Sequence, residues 1–489
     1  MSDRKTKMTR REFLRVAGLT AAGAIIVSCA PAPTPAPTAA PPTVAPKPTD
    51  APKPAATSAP APTSAPAPTQ PPAPTAVPTK TPTTIEFLAW GDTTDGPAWE
   101  KLKPAYEAKF AGQKVNVTPV ADPNNNFYTK LQTMFAGGSP PDLASFQGWE
   151  WQFYADKNLL APVDDYVARD KVTSPYPQGF TSVEQSVKWK GKTYLVPLQM
   201  AVMIMLYAKK IFDEAGVAYP KDDWTFDQFV DLAKKLTNAD KKRFGYQPNG
   251  NWYRDIGWIV LTGKREFDNV IDPKKSQFGS PEVVQILQTM SYDMAHTFKA
   301  APSPADTSGA NTINTGACAM KYEGPWFLPQ LNSPTLREQK KEVVFDVVRM
   351  PKGAGSGRPH RGWGEGVCVT KSDKAEAAWN FAAYLVSEEG NKMYSEITGR
   401  IPSNLQLAES WWLPRTKELY GIENGKAFLD AFKEGQIDVV SGVPRSKMWA
   451  EAVKPTAWDA MNAGSAKAAD VLPKVDEKLQ KLLDEYWKG

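Results

Sequence analysis

The sequence predicts an α/β fold for the chain that follows residue 83, and three observations support that prediction. Apolar runs of strand length alternate with stretches in which apolar residues recur at helical spacing. Pairs of turn residues, such as Gly137-Gly138 and Pro140-Pro141, separate these runs. The region of about 400 residues is long enough for one large unit with two lobes or for two to three domains.

The first elements of this region alternate in a regular order. Residues 85–90 form a strand-like run, and a helical stripe follows in which Pro104 must kink or shorten the helix. Residues 115–120 alternate as a second strand, residues 127–135 have a helical pattern, and a short apolar strand follows Asp142. Strands and helices in this order favour a largely parallel sheet covered by helices.

Similar patterns continue to the end of the chain. Thr225 and Gln228 have the spacing of a capping box, which predicts a helix through Leu236. Further elements are predicted as strands at 342–348 and 366–370, a helix capped by Asp373 and Glu376, and a C-terminal helical segment at 450–487.

Residues 1–28 have the features of an export signal. Thr9-Arg10-Arg11-Glu12-Phe13-Leu14 resembles a twin-arginine motif, and an uncharged stretch from residue 16 to residue 28 follows it. Ile26-Val27-Ser28-Cys29 resembles a bacterial lipobox, which predicts that Cys29 carries a lipid. The uncharged stretch is shorter than the ~20 apolar residues that cross a bilayer. We therefore predict an extracytoplasmic protein that a lipid anchors to the cell membrane.

Residues 29–83 are predicted to be the lipidated cysteine and a disordered tether. From residue 30 to residue 83 the chain is almost wholly Pro, Ala, Thr and Ser, with 19 of the protein's 45 prolines and four charged residues. Such a segment cannot bury enough apolar surface to offset the entropy lost on ordering. The folded region is then expected to begin at residue 84.

Charge and metal-binding residues exclude several functional classes. Removal of residues 1–28 takes away six basic and two acidic side chains, which lowers the formal charge from +5 to +1, so nothing favours nucleic acid. His296 and His360 are the only histidines, and no spacing typical of a zinc site occurs, so we predict neither a metal nor a cofactor. Cys318 and Cys368 lie in apolar runs and are either a disulfide pair or two buried thiols.

Tryptophans in predicted loops beside glycines or acidic residues, as in Gly362-Trp363-Gly364-Glu365, are the strongest candidates for a binding site. Indole faces stack on the C–H faces of sugars, and carboxylates accept hydrogen bonds from hydroxyl groups. Each tryptophan could instead pack in the core. Carboxylate pairs would also permit a glycosidase. The predicted ligand-binding residues are Trp90, Asp92, Trp149, Glu150, Trp326, Trp363 and Glu365, with Trp326 and Trp363 as stacking residues.

Several ordered motifs resemble a known family. They include Tyr128-x-x-Leu131-x-x-x-Phe135-x-x-Gly138-x-x-Pro141-Asp142, Trp224-Thr225-Phe226-x-x-Phe229, Gly316-x-x-x-Met320-x-x-x-Gly324-Pro325-Trp326, Met350-Pro351-Lys352-Gly353 and Gly399-Arg400-Ile401-Pro402. From residue 84 to the end, the chain resembles the family 1 extracellular solute-binding proteins of ABC importers, the group that contains maltose-binding protein. Ala208 departs from the asparagine that the family often has at this place.

The resemblance implies a two-lobed periplasmic-binding-protein-like fold with a hinge and a ligand cleft between the lobes. Lobe 1 would comprise residues 84–204 and 368–425, and lobe 2 residues 205–367 and 430–489. The expected function is capture of a sugar or oligosaccharide by a monomer, without catalysis, and delivery to an ABC permease in the membrane. The alternatives are a surface-anchored carbohydrate-active enzyme and a binding or sensor protein for a solute other than sugar.

Overall fold

Two β-sheets organise the computed structural model, which describes residues 83–91, 95–121, 126–172, 180–303, 306, 312–353 and 357–488. The predicted export signal, Cys29, the tether up to residue 82 and the candidate ligand residue Asp92 lie outside the described residues. The strands described, numbered in chain order, are β1 (Thr83–Trp90), β2 (Gln113–Val120), β3 (Leu143–Phe146), β4 (Lys188–Trp189), β5 (Lys192–Thr193), β6 (Leu195–Val202), β7 (Ile204–Ala208), β8 (Phe244–Gln247), β9 (Cys318–Glu323), β10 (Phe345–Val348), β11 (Gly362–Val369) and β12 (Ile401–Pro402).

The first sheet has six strands in the order β12-β6-β11-β3-β1-β2. Strands β2, β1 and β3 are parallel, as the alternation of strands and helices predicts. In contrast, β11 is antiparallel to both β3 and β6, and β12 is antiparallel to β6. The prediction of a largely parallel sheet is therefore correct for one half only, because β11 enters from the second sheet instead of through a β–helix–β crossover.

The second sheet has four strands in the order β10-β7-β9-β8. The chain passes from the first sheet to the second at Met203, the single residue between β6 and β7. It returns between β10 and β11, in residues 349–361, and leaves the first sheet again after β12. Strands β4 and β5 pair only with each other, and the strands of the two larger sheets form two groups joined by three passages. The lobe bounds expected from the sequence stay a prediction.

Helices cover both sheets. The α-helices described are Asp95–Lys109, Asn126–Ala136, Gln152–Asp156, Asp164–Arg169, Thr181–Val187, Lys209–Ala215, Phe226–Leu236, Trp252–Asp255, Pro281–Gln288, Met294–His296, Leu328–Leu331, Pro334–Glu338, Ala375–Leu385, Glu388–Thr398, Leu405–Leu407, Leu413–Tyr420, Lys426–Lys433, Arg445–Met448, Asp459–Asn462 and Ala468–Lys488. Ile256–Thr262 and Pro325–Phe327 are 3₁₀ turns, and Thr289–Asp293, Ala408–Trp412 and Trp449–Trp458 have π-helical hydrogen bonding.

The sequence predicted one helix N-terminus correctly and another wrongly. The capping box of Thr225 and Gln228 is confirmed, with both reciprocal hydrogen bonds present. The predicted cap at Asp373 is wrong, because Lys374 occupies the N-cap position and no side chain caps this helix. Pro104 is accommodated inside Asp95–Lys109, which runs on for five further residues.

Buried apolar side chains form two clusters, and the larger one contains residues of both sheets. The smaller cluster packs the helix Ala375–Leu385 on β1, with Phe87 against Trp99 and Phe381. Cys318 in β9 and Cys368 in β11 are both buried and form no disulfide, which selects the second of the two alternatives. Within the described part of the chain, no helix has both the length and the apolar character needed to cross a membrane.

Candidate functional site

A cavity of about 930 Å³ lies between the two sheets, where the chain passes from one to the other. Met203, the residue of that passage, is part of the cavity wall. The first sheet contributes the end of β1 and the loop after β3, and the second contributes the segments after β8 and β9. Carboxyl ends of strands are where α/β sheets present their binding loops. The cavity is therefore the candidate ligand site.

Six of the seven ligand-binding residues predicted from the sequence line this cavity. They are Trp90, Trp149, Glu150, Trp326, Trp363 and Glu365. The seventh, Asp92, falls outside the described residues, although its neighbour Gly91 lines the cavity. Residues that lie far apart in the sequence are thus brought together, but contact with a ligand stays a prediction.

Trp363 and Glu365 differ from expectation in their backbone setting. The Gly-Trp-Gly sequence at 362–364 predicts a loop, whereas these residues form the start of β11, paired with β6. Packing explains the difference: a Cβ on Gly364 would lie 3.1 Å from Oγ of Ser186 in the helix Thr181–Val187, and a Cβ on Gly366 would lie 2.0 Å from the carbonyl oxygen of Val196 in β6. These glycines permit close approach of that helix and of the neighbouring strand rather than a flexible turn.

Three tryptophans form one aromatic wall of the cavity. The Trp363 ring centroid lies 4.8 Å from that of Trp149 and 5.9 Å from that of Trp326. Trp149 and Trp363 are only 3% and 4% exposed, and the guanidinium carbon of Arg361 lies 5.5 and 4.9 Å from their ring centroids. Since a guanidinium covers part of each ring, Trp149 and Trp363 have little face left for a ligand.

Other cavity aromatics keep more of their surface open. Trp90 is half-buried and stacks one face on Phe127, with ring centroids 4.5 Å apart and planes 16° apart. Trp449 and Tyr253 are also half-buried, and their rings contact each other at 5.6 Å. Trp449 begins a π-helical segment, a local geometry that is frequent at functional sites. Trp90 thus reaches the cavity from the end of β1, and Trp449 reaches it from the C-terminal helical segment.

A buried ion-pair network packs against the aromatic wall. Asp438 accepts hydrogen bonds from Nε of Arg361 at 2.8 Å and from Nη1 of Arg445 at 2.7 Å, and all three residues are at most 2% exposed. The guanidinium of Arg445 lies 4.8 Å from the ring centroid of Trp149. Burial alone would raise the pKa of Asp438, but the charges of Arg361 and Arg445 hold it below its ordinary value.

The other cations of the cavity also have acidic partners. Arg400 donates to Asp95 at 2.8 Å and to Glu365 at 3.3 Å, and Trp363 donates its indole N–H to the same Glu365 at 3.2 Å. Arg254 pairs with the buried Glu323. Because these positive charges are compensated within the protein, the cavity has no evident surplus of positive charge for an anionic ligand.

Glu150 is the cavity carboxylate with the most unusual environment. It is 2% exposed and accepts hydrogen bonds from the backbone N–H of Ser446 at 3.3 Å and from the Ser446 hydroxyl. Burial raises the pKa of Glu150 to about 7, although the bonds from Ser446 and the charge of Arg445 oppose the shift. Glu150 follows β3 of the first sheet, so this contact joins that sheet to the C-terminal helices.

Sequence reasoning missed several residues that line the cavity. They are Asp95, Tyr253, Arg254, Arg361, Arg400, Trp449 and others. Trp449 sits in a stretch with ordinary helical periodicity, and Arg361 precedes a strand without any motif. Arg400 belongs to the family motif Gly399-Arg400-Ile401-Pro402, but that motif did not predict that the side chain lines the cavity.

The comparisons with known proteins agree with this architecture. Residues 90–392 match the family model described as bacterial extracellular solute-binding protein. The chain belongs to this family. The family consists of solute-binding proteins, not enzymes, and acts outside the cytoplasm, which confirms the predictions of a non-catalytic protein and of an extracytoplasmic location.

Two curated relatives match much of the chain at low identity. A binding protein of Brucella abortus (strain 2308) is 24% identical over 322 residues, covering 64% of this chain and 74% of the relative. The arabinooligosaccharide-binding protein of Halalkalibacterium halodurans is 25% identical over 299 residues, covering 58% and 62% respectively.

A solved structure shares the fold. The ABC substrate-binding protein from Listeria monocytogenes in complex with cycloalternan has a TM-score of 0.71 and 25% identity, covering 82% of this chain and 99% of that chain. Together with the two sheets joined by three passages, this likeness confirms the predicted two-lobed α/β solute-binding fold.

Proposed function

We propose that this protein is the solute-binding lipoprotein of an ABC importer and that it delivers a sugar or oligosaccharide to a membrane permease. The observation that carries the proposal is the cavity between the two sheets, lined by tryptophans, tyrosines and carboxylates. Aromatic faces and carboxylates suit a neutral polyhydroxy ligand, and the cavity's cations are already paired. The similar proteins from Halalkalibacterium and Listeria are named for, or complexed with, oligosaccharides.

Within this proposal, the half-buried rings stack on the sugar. Trp90 from the first lobe and Trp449 from the second would each present a ring face to the ligand, and Trp326 would add a further surface. Glu150 and Glu365 would accept hydrogen bonds from sugar hydroxyls, with Asp92 beyond β1 as a further acceptor. Trp149 and Trp363 would mainly shape the wall, because Arg361 covers part of their rings.

A ligand screen tests the function. The full chain is expected to gain thermal stability with at least one member of a panel of neutral oligosaccharides, including arabino-oligosaccharides and malto-oligosaccharides. A sugar at 100 times its dissociation constant should stabilise the folded state by ~2.7 kcal/mol. Differential scanning fluorimetry gives the shift, and titration calorimetry gives the affinity.

Two tryptophan variants make the screen specific to the cavity. Trp90→Ala should abolish or strongly reduce the shift with the sugar that binds the wild type. Trp411→Ala, which truncates a tryptophan outside the cavity wall, should leave that shift intact. A panel that gives no shift, or an equal shift in both variants, would contradict the proposed sugar site.

The anchor is proposed from Ile26-Val27-Ser28-Cys29 and the family's extracytoplasmic location. Cys29→Ala is expected to move the protein from the membrane fraction to soluble extracytoplasmic or precursor forms, because a lipid can no longer be attached. Cell fractionation followed by immunoblotting measures the distribution. A variant that remains entirely membrane-bound would show that Cys29 is not the anchor.

A further inference from the structure

The carboxylate of Asp156 lies outside the cavity wall, on the side of the first sheet. Asp156 ends the short helix Gln152–Asp156, which lies between β3 and β6. Its Oδ1 accepts hydrogen bonds from the indole N–H of Trp189 and from Nζ of Lys190, both at 2.7 Å. These donors belong to the β4–β5 hairpin, so Asp156 is fixed within its own lobe.

The partner of this carboxylate comes from the last helix of the chain. The hydroxyl of Tyr486 donates to Oδ2 of Asp156 at 2.7 Å. Tyr486 lies near the end of Ala468–Lys488, a helix that packs on Pro281–Gln288, between β8 and β9 of the second sheet. A Cβ on Gly442 would lie 2.4 Å from the Tyr486 ring, so that glycine leaves room for it.

The helix that carries Tyr486 is tied firmly to the second lobe. The indole N–H of Trp487 donates to the carbonyl of Pro273 at 2.9 Å, and the side-chain amide of Gln480 donates to the carbonyl of Lys274 at 2.9 Å. The backbone N–H of Gly279 donates to Asp476 at 2.6 Å. Tyr486 therefore moves with the second lobe, and its bond to Asp156 must break when the lobes separate at this place.

We propose that Tyr486 is an affinity-determining residue outside the cavity, because its hydrogen bond to Asp156 clasps the two lobes in the arrangement seen here. The proposal rests on the proposed function, in which ligand binds between lobes that open and close. Asp156 lies six residues after Glu150, whose contact with Ser446 crosses the cavity. The segment 150–156 thus carries one inter-lobe contact inside the cavity and one outside it.

This Tyr486–Asp156 hydrogen bond, called the clasp below, acts on affinity through the population of the closed form, the arrangement in which Glu150 and Ser446 meet across the cavity. When only the closed form binds ligand tightly, the apparent dissociation constant is the intrinsic one divided by the closed fraction. Loss of one hydrogen bond to a carboxylate should shift the open–closed ratio by about tenfold toward the open form. The apparent affinity would weaken by up to the same factor, without any change in the cavity wall.

Distances between spin labels test the clasp without any ligand. The full chain carrying Cys29→Ala receives labels at Lys130→Cys and Lys467→Cys, two exposed positions on different lobes. Double electron–electron resonance should show a larger population with a long distance between the labels in the Tyr486→Phe variant than in the labelled protein that keeps Tyr486. Asp156→Asn should have the same effect, and the double variant should open no further than either single variant.

Tyr219→Phe is the matched control. Tyr219 donates to Asp213 at 2.6 Å, a tyrosine–carboxylate bond within 6 residues of sequence on one lobe. Its removal should leave the distance distribution unchanged. Melting curves verify that each variant is folded. Folded Tyr486→Phe and Asp156→Asn variants with the wild-type distribution would overturn the proposal.

The outcomes for the clasp and for the proposed function are separable. Shortening of the label distance when the sugar identified in the screen is added to the wild type tests ligand-induced closure. The difference between wild type and Tyr486→Phe without sugar tests the clasp alone. A wild type that fails to respond to any sugar but differs from Tyr486→Phe would retain the clasp and reject the sugar assignment.

Discussion

Asp438→Asn is expected to destabilise the folded protein by about 3–5 kcal/mol, the cost of breaking a buried ion pair by removal of one partner. The asparagine would leave Arg361 and Arg445 without a negative charge between them, at positions that are at most 2% exposed. Urea denaturation of the full chain, followed by far-UV circular dichroism, measures the change in the free energy of unfolding.

A surface pair provides the control for this prediction. Asp430→Asn removes the partner of Lys426, whose side chain is 71% exposed, and should cost no more than about 1 kcal/mol. Near-UV circular dichroism should also change in Asp438→Asn, since Arg361 and Arg445 both lie against Trp149. A loss below about 1 kcal/mol for Asp438→Asn would mean that the two guanidiniums do not depend on this carboxylate.

Local sequence signals predicted most of the elements that place the cavity. The strands at 85–90 and 115–120 and the capping box at Thr225 depend on neighbouring residues, and the structure reproduces all three. The start of β11 could not be predicted in the same way. Its glycines are required by close neighbours, the helix Thr181–Val187 and strand β6, and both neighbours lie about 160 residues or more earlier in the sequence.

The candidate site was predicted in part for the same reason. Tryptophan beside glycine is a visible local pattern, and it located Trp90, Trp326 and Trp363 on the cavity wall. Asp438 has no such pattern, because its role depends on Arg361, 77 residues away, and on burial. The sequence also does not show how much of each tryptophan ring is exposed to the cavity. In the structure Arg361 covers part of the Trp363 ring, whereas Trp449 is only half-buried.

Between pH 5 and pH 8 the wild type is expected to lose about 2.5 kcal/mol of stability that the variant Glu150→Gln keeps. The pKa of Glu150 is raised from its ordinary value of 4.5 to about 7 in the folded protein. Between these values the folded state holds a proton that the unfolded state has released, so stability falls as pH rises from 4.5 through 7. Each pKa unit corresponds to ~1.4 kcal/mol. Glutamine is neutral throughout, so the variant lacks this loss.

The comparison is therefore between wild type and variant at each pH. Urea denaturation should show Glu150→Gln more stable relative to wild type at pH 8 than at pH 5. Two titratable groups face Glu150, and neither changes its charge between pH 5 and pH 8. Tyr154 stays neutral because burial raises its pKa, and Arg445 stays positive because a guanidinium does not lose its proton in a protein. Glu451→Gln removes an exposed carboxylate from the segment Trp449–Trp458 and should show the same difference from wild type at both pH values. If Glu150→Gln behaves like Glu451→Gln, the carboxylate of Glu150 is ionised in the folded protein and its contact with Ser446 does not exclude water.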